Sequence, residues 1–264
     1  LAGNDYGELL RSGLDIVADA KPGVRWAGCK EVWVLEFVPL LARLFPEARF
    51  FAVERDPRAV VASLLAMAEK DPTQAAHPPS YLRHWRKQVA LSHHFGRDPF
   101  LAGRFRSISF ERLATLPEDE ARRLCDDLDI DFHPEMLRLS ADGWKGNSSF
   151  DHGSKDIYSE TVDRWRQVLR ARLVQAADYL GGPEMTLTPY RPAVEPRAEE
   201  VLAYLQEAGQ QTGSWRSDSG DLLSDFGGEM VRRTIQGTSG KLSEELVRRC
   251  YLFAETLSAI RRTH

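Results

Sequence analysis

The stretch RFFAVERDPRAVVASLL, Arg49 to Leu65, constrains the fold of this chain more than any other. A brief apolar run, Arg49 to Val53, passes directly into polar residues, which predicts a short strand buried on both faces, as in a parallel sheet. Asp56 can cap a following helix and Pro57 can take its first position, where a missing N–H costs least. Val60, Val61, Leu64, Leu65 and Ala68 then supply an apolar stripe at helical spacing. A strand that turns at once into a helix places Arg55 at the carboxyl end of the strand, where open parallel sheets collect ligands. The start of the helix contributes free N–H groups and a positive dipole end. Ser63 lies two turns in, about 9 Å along the axis. An arginine fork, a helix start and a hydroxyl together suit a phosphate. The alternative is structural: Asp56 only caps, Arg55 and Arg58 are solvated, and Ser63 is a small packing residue.

Elsewhere strand-like and helical stretches alternate. Tyr6, Leu9, Leu10, Leu14 and Val17 predict a helix over residues 5–19, closed by Lys21-Pro22-Gly23, and Val24 to Cys29 reads as extended. Helices are expected over Glu36 to Phe45, with Pro39 in the first turn, over Ser80 to Phe95 and over Pro117 to Leu128. RFRSISF, Arg104 to Phe110, alternates as a further strand. The polar loop Asp142 to Asp156 precedes a long predicted helix, Ser159 to Leu180, that ends at Gly181-Gly182. Such alternation indicates the α/β class, a three-layer arrangement with a parallel sheet flanked by helices. Tyr190 to Pro196 reads as a linker, which divides the chain into an α/β domain over residues 1–190 and a helical C-terminal extension over 191–264, with helices at Arg197 to Gly209 and Leu242 to Arg262.

Composition narrows the function classes. The formal net charge of the 264 residues is -4, so no global basic field points to nucleic acid and an anion site has to be built locally. Three widely spaced cysteines, Cys29, Cys125 and Cys250, suggest neither a disulfide framework nor a zinc ribbon and fit a reducing compartment, the cytoplasm. No apolar run approaches the ~20 residues that span a bilayer, so no membrane association is expected. His93 and His94 are adjacent and point about 100° apart on a helix, a poor metal pair. Lys30 follows the first extended stretch, and a parallel sheet would bring its ammonium to the same edge as Arg55. There it would stabilise charge growing on a leaving phosphate, although a lysine after a strand is commonly just a surface residue.

The segment from Gly28 to Leu65, GCKEVWVLEFVPLLARLFPEARFFAVERDPRAVVASLL, resembles the central part of the sulfotransferases that use 3′-phosphoadenosine-5′-phosphosulfate (PAPS), particularly the carbohydrate and tyrosylprotein types, and the likeness runs on to about residue 180. The resemblance implies a P-loop-like nucleotide-transferase fold, PAPS as donor and no metal. It implies that Arg55 and Ser63 hold the 3′-phosphate and that Lys30 touches the phosphosulfate. SFERL, Ser109 to Leu113, is similar to the strand end Tyr-Glu-x-Leu of that family, so Phe110 would offer a ring near the adenine without the phenol hydroxyl. By position relative to Trp165, Lys155 matches a lysine that reaches the cofactor phosphate.

The glycine-rich loop of that family, G-x-x-R-S-G-T, has no counterpart here, Arg11-Ser12-Gly13 lacking a preceding strand; the resemblance places the first strand and loop upstream of Leu1. The acceptor implied is a hydroxyl or amine of a small molecule, glycan or peptide. A non-catalytic nucleotide- or partner-binding module is the alternative, with oligomer or partner contacts through the helical tail. A kinase would need a phosphate-loop lysine and acidic magnesium ligands, neither of which is visible.

Overall fold

The computed structural model describes residues 5–21, 23–31, 34–70, 78–138, 161–195 and 197–208. The expected helix over Leu242 to Arg262 and the polar loop over Asp142 to Asp156 lie outside them. Helix α1 spans Tyr6–Asp19 and is capped by Asp5, whose side chain accepts the Glu8 N–H. Arg11-Ser12-Gly13 therefore sits inside a helix and forms no phosphate loop. A single 3-10 turn, Val34–Phe37, leads into α2, Val38–Leu44, with Pro39 in its first turn as the sequence predicts. Strand β1, Phe50–Glu54, is followed by α3, Pro57–Lys70, and α4, Pro78–Phe95, before strand β2, Phe105–Ser109. Two short helices follow, α5 at Phe110–Thr115 and α6 at Pro117–Leu128.

β1 and β2 pair in parallel with Phe50 opposite Phe105 and Glu54 opposite Ser109, joined by a helical crossover as parallel pairing requires. The chain is α/β, a parallel sheet flanked by helices. One face of the pair is dry: Phe50 and Phe105 pack on Val38, Leu91, Phe95 and Leu101. The opposite face is not, because Val53 is 46% exposed where Ala52 is buried. The expectation of a strand buried on both faces is thus corrected among the described residues.

Two further expectations need correction. Val24 to Cys29 joins no sheet. Its polar groups are drawn to the end of α6 instead, where Trp26 Nε1 donates to the Leu128 carbonyl at 2.7 Å and Arg25 bonds Asp129. The long helix expected before Gly181 is two helices: α7, Trp165–Val168, and α8, Ala171–Met185, separated by extended Leu169 and Arg170. The break lets Trp165 and Val174 reach the same buried residue of α3, Ala59.

α8 also runs through Gly181-Gly182 rather than ending there, since neither glycine takes a positive φ. Gly181 is needed for proximity: a Cβ would stand 3.2 Å from the Trp85 ring of α4. The main core gathers Val61 of α3, Tyr81 and Leu82 of α4 and Ala176, Ala177 and Leu180 of α8. Val201 of α9, Ala198–Ala208, is fully buried in that same cluster. The connecting segment is also anchored, because the Asp178 carboxylate of α8 accepts the N–H groups of Ala193 and Val194.

Candidate functional site

At the carboxyl end of β1 the backbone leaves the sheet and the helix begins within two residues, which the Asp56-Pro57 pair makes possible. Asp56 accepts the Arg58 N–H on its own carboxylate at 2.8 Å, so one of the orphan donors at the start of α3 is already satisfied internally. Arg55 occupies the turn. Its carbonyl accepts from Trp85 Nε1 at 2.8 Å, and its guanidinium donates to the Thr161 carbonyl at 3.1 Å while lying over the Phe110 ring, 4.1 Å from the centroid. Its Nε is buried and has no partner among the described residues. Burial lowers the proton affinity of this guanidinium, opposed by the charges of Glu111 and Asp56, and an arginine so placed remains a cation at neutral pH.

Arg55 and Ser63 line one cleft of about 200 Å³ between α3 and α7. Ala59, Ala62 and Ala66 give it a floor of small side chains, and Trp165 and Arg164 form its far wall. Small residues on the Ser63 face leave room beside the hydroxyl, and the half-buried Arg55 guanidinium lines the same space. The cleft sets two guanidiniums, Arg55 and Arg164, against one carboxylate, Glu69, a lining of net positive charge that can take a phosphate. Arg164, which the sequence does not distinguish from the other charges around it, supplies a second cation to the cleft.

Trp165 is 3% exposed and is held from behind: Arg58 lies 4.2 Å from its ring centroid, and Arg166 lies 4.4 Å from it. Arg58 is itself buried, contrary to the reading that leaves it solvated. It forks onto both oxygens of Asp56, at 2.8 and 2.6 Å, and reaches Asp178 at 3.2 Å. Burial opposes its charge, but the Asp56 bonds and the Asp178 charge outweigh that and raise its proton affinity. Asp178 is shifted the other way, its carboxyl held above the ordinary range because burial exceeds the help from Arg58 and from the Val194 and Ala193 N–H groups.

The remaining expected site residues divide. Phe110 opens α5 and its ring stacks on Arg55, which itself lines the Ser63 cleft; Phe110 touches the arginine and is not part of the cleft lining. Lys30 lies exposed in the irregular segment before the 3-10 turn, and the sheet-edge geometry expected for it is not formed, since that segment is fastened to the end of α6. Glu31 beside it is exposed as well. Lys155 falls outside the described residues. Among the described residues no group of histidines, cysteines and carboxylates could hold a metal ion, and no helix is long and apolar enough to cross a membrane.

Comparison with known proteins bears on this site. No curated protein matches the chain. Among solved structures, the sulfotransferase domain from the Synechococcus PCC 7002 olefin synthase is similar at 20% identity with a TM-score of 0.39, covering 52% of this chain and 48% of that one. The chain thus spans about half the length of the structure it matches. Residues 5–134 match the profile of the sulfotransferase family, a span that contains β1, α3, β2 and both Arg55 and Ser63. The half of the chain that carries Arg55 and Ser63, residues 5–134, is thus similar to the sulfotransferase family.

Proposed function

We propose that the protein binds PAPS with its 3′-phosphate between Arg55 and Ser63 and transfers the sulfuryl group to a hydroxyl or amine acceptor. The observation that carries this reading is the shared cleft: a half-buried guanidinium, Arg55, and a helix hydroxyl, Ser63, line one cleft whose wall carries a second guanidinium, Arg164. In the transfer an acceptor oxygen or nitrogen attacks sulfur, the bond from sulfur to the bridging phosphate oxygen breaks, and the acceptor proton passes to a base. Adenosine 3′,5′-bisphosphate leaves. Phe110, stacked on Arg55, extends the site toward the adenine with an apolar face. Lys30 is assigned to the 5′ end, where an ammonium would neutralise charge on the departing phosphate; this role and that of Lys155 rest on the family resemblance.

The acceptor in this reading is a hydroxyl or amine carried by a glycan, a peptide or a small molecule. A cytoplasmic setting belongs to the same proposal, consistent with Cys29 and Cys125 as free thiols.

Adenosine 3′,5′-bisphosphate is expected to raise the thermal unfolding temperature, as any ligand that binds only the native state does. Arg55→Ala should weaken nucleotide binding by about tenfold or more, the loss of a charge-assisted contact, with a smaller loss for Ser63→Ala. Calorimetric titration of the three proteins measures this. Unchanged affinity in both variants would remove the 3′-phosphate from this cleft.

A further inference from the structure

Glu111 of α5 bonds two loops that the sheet alone leaves independent. One carboxylate oxygen accepts the Asp56 N–H at 2.9 Å, the peptide that immediately follows Arg55. The other accepts the Tyr190 hydroxyl at 2.6 Å and the Ser109 hydroxyl at 3.1 Å. Ser109 in turn caps α5 by accepting the Arg112 N–H, so the carboxylate is tied to the turn that aims Phe110. The β1 turn carries Arg55, the β2 turn carries Phe110, and the two side chains stack on each other across the gap that Glu111 bridges. Tyr190 commits its proton to this carboxylate: burial and the Glu111 bond both raise its pKa far above the ordinary phenol value.

We infer that Glu111 is a positioning residue, which presets Arg55 for the 3′-phosphate by clamping the β1 turn to the β2 turn. The inference rests on the nucleotide reading above for its ligand, though the clamp itself is a feature of the free protein. Three anchors fix the Arg55 guanidinium and backbone, Trp85 on its carbonyl, Thr161 on its fork and Phe110 on its face, and Glu111 acts on the peptide next to the first and on the helix bearing the third. Without the Asp56 N–H bond the peptide plane after Arg55 is held on its carbonyl side alone, by Trp85, and part of the ordering of the arginine has to be supplied when ligand binds.

The consequence is selective. Glu111 touches no ligand atom in this reading, yet its loss should weaken only the part of the affinity that comes from the 3′-phosphate. That part is the ratio of affinities for adenosine 3′,5′-bisphosphate and adenosine 5′-phosphate, measured by titration calorimetry on the full chain. Glu111→Ala is expected to lower the ratio about tenfold while adenosine 5′-phosphate affinity stays within about twofold. Glu111→Gln, whose amide oxygen can still accept the Asp56 N–H, should keep the ratio. In an Arg55→Ala background Glu111→Ala should change it no further, as expected of two residues acting as one unit.

An equal loss for both nucleotides, or a full loss persisting in the Arg55→Ala background, would make Glu111 merely structural and overturn the inference. A second readout needs no ligand. The indole N–H resonance of Trp85, bonded to the Arg55 carbonyl, should shift in Glu111→Ala and stay in place in Glu111→Gln. Should the alanine variant not fold, Glu111→Asp, one methylene short of the Asp56 N–H, replaces it in every arm. If the wild-type protein shows no preference for the bisphosphate, the 3′-phosphate reading fails, and Glu111 is judged on the Trp85 resonance, which must move for the clamp to stand.

Discussion

Arg58→Met should destabilise the folded protein by about 3–5 kcal/mol, the usual cost of removing one partner from a buried ion pair. The guanidinium is 4% exposed and serves Asp56 and Asp178 at once while stacking on Trp165. Methionine fills much of the volume, so packing loss is minor and the stranded carboxylates dominate. Asp178 already sits above the ordinary carboxyl range, and without Arg58 it must rise further. A carboxyl whose folded pKa exceeds its unfolded value binds more protons in the native state, so its effect on stability worsens as pH rises from the ordinary aspartate range through the folded value. The deficit of Arg58→Met should therefore be smaller near about pH 5 than near about pH 7. Denaturant unfolding at both pH values measures it. Adding Asp178→Asn should return part of the loss, because the amide oxygen can still accept an N–H from residues 193–194 while carrying no charge. A deficit independent of pH and unaffected by the second substitution would mean that the carboxylates are not the cause.

The second large effect concerns turnover. Lys30→Ala is expected to lower kcat by about 10²–10³-fold, the range seen when one donor that meets developing charge is removed, with adenosine 3′,5′-bisphosphate affinity changed by no more than about threefold. The asymmetry follows from the proposed role: an ammonium matched to charge that grows on the leaving phosphate contributes little in the ground state. Lys30 is exposed in the present structure, on a segment held through Trp26 and Arg25 rather than through the sheet. Equal losses in kcat and affinity would make it a binding residue, and no loss in either would detach it from the reaction.

Local chemistry made some of the fold legible and tertiary chemistry hid the rest. The start of α3 could be read because Asp56 and Pro57 are adjacent and each has one strong positional preference. The bounds of α6 could be read for the same reason at Pro117. Val24 to Cys29 could not, because an extended run becomes a strand only when a neighbour accepts its backbone, and here Trp26 and Arg25 found the end of α6 first. Gly181 carried two meanings, a helix end or a close approach, and only Trp85, distant in sequence, decides between them. The site shows the same division. Arg55 and Ser63 follow from the strand-turn-helix unit and do share a cleft. Arg58 looked like a solvated neighbour because Asp178, the residue that completes its burial, lies 120 positions away. Glu111 was visible only as one letter of SFERL, since nothing local announces that its carboxylate reaches back to Asp56 and forward to Tyr190.

The stretch Tyr190 to Pro196 has the two prolines of a swivel in its sequence, but Asp178 grips the N–H groups of Ala193 and Val194 and the Tyr190 hydroxyl is bound to Glu111. Any lever action of α9 would have to break bonds belonging to the same carboxylates that steady Arg58 and the peptide after Arg55. A pull on that helix would thus be felt at the Arg55 turn, and the natural place to sever the chain lies beyond this segment, not before it.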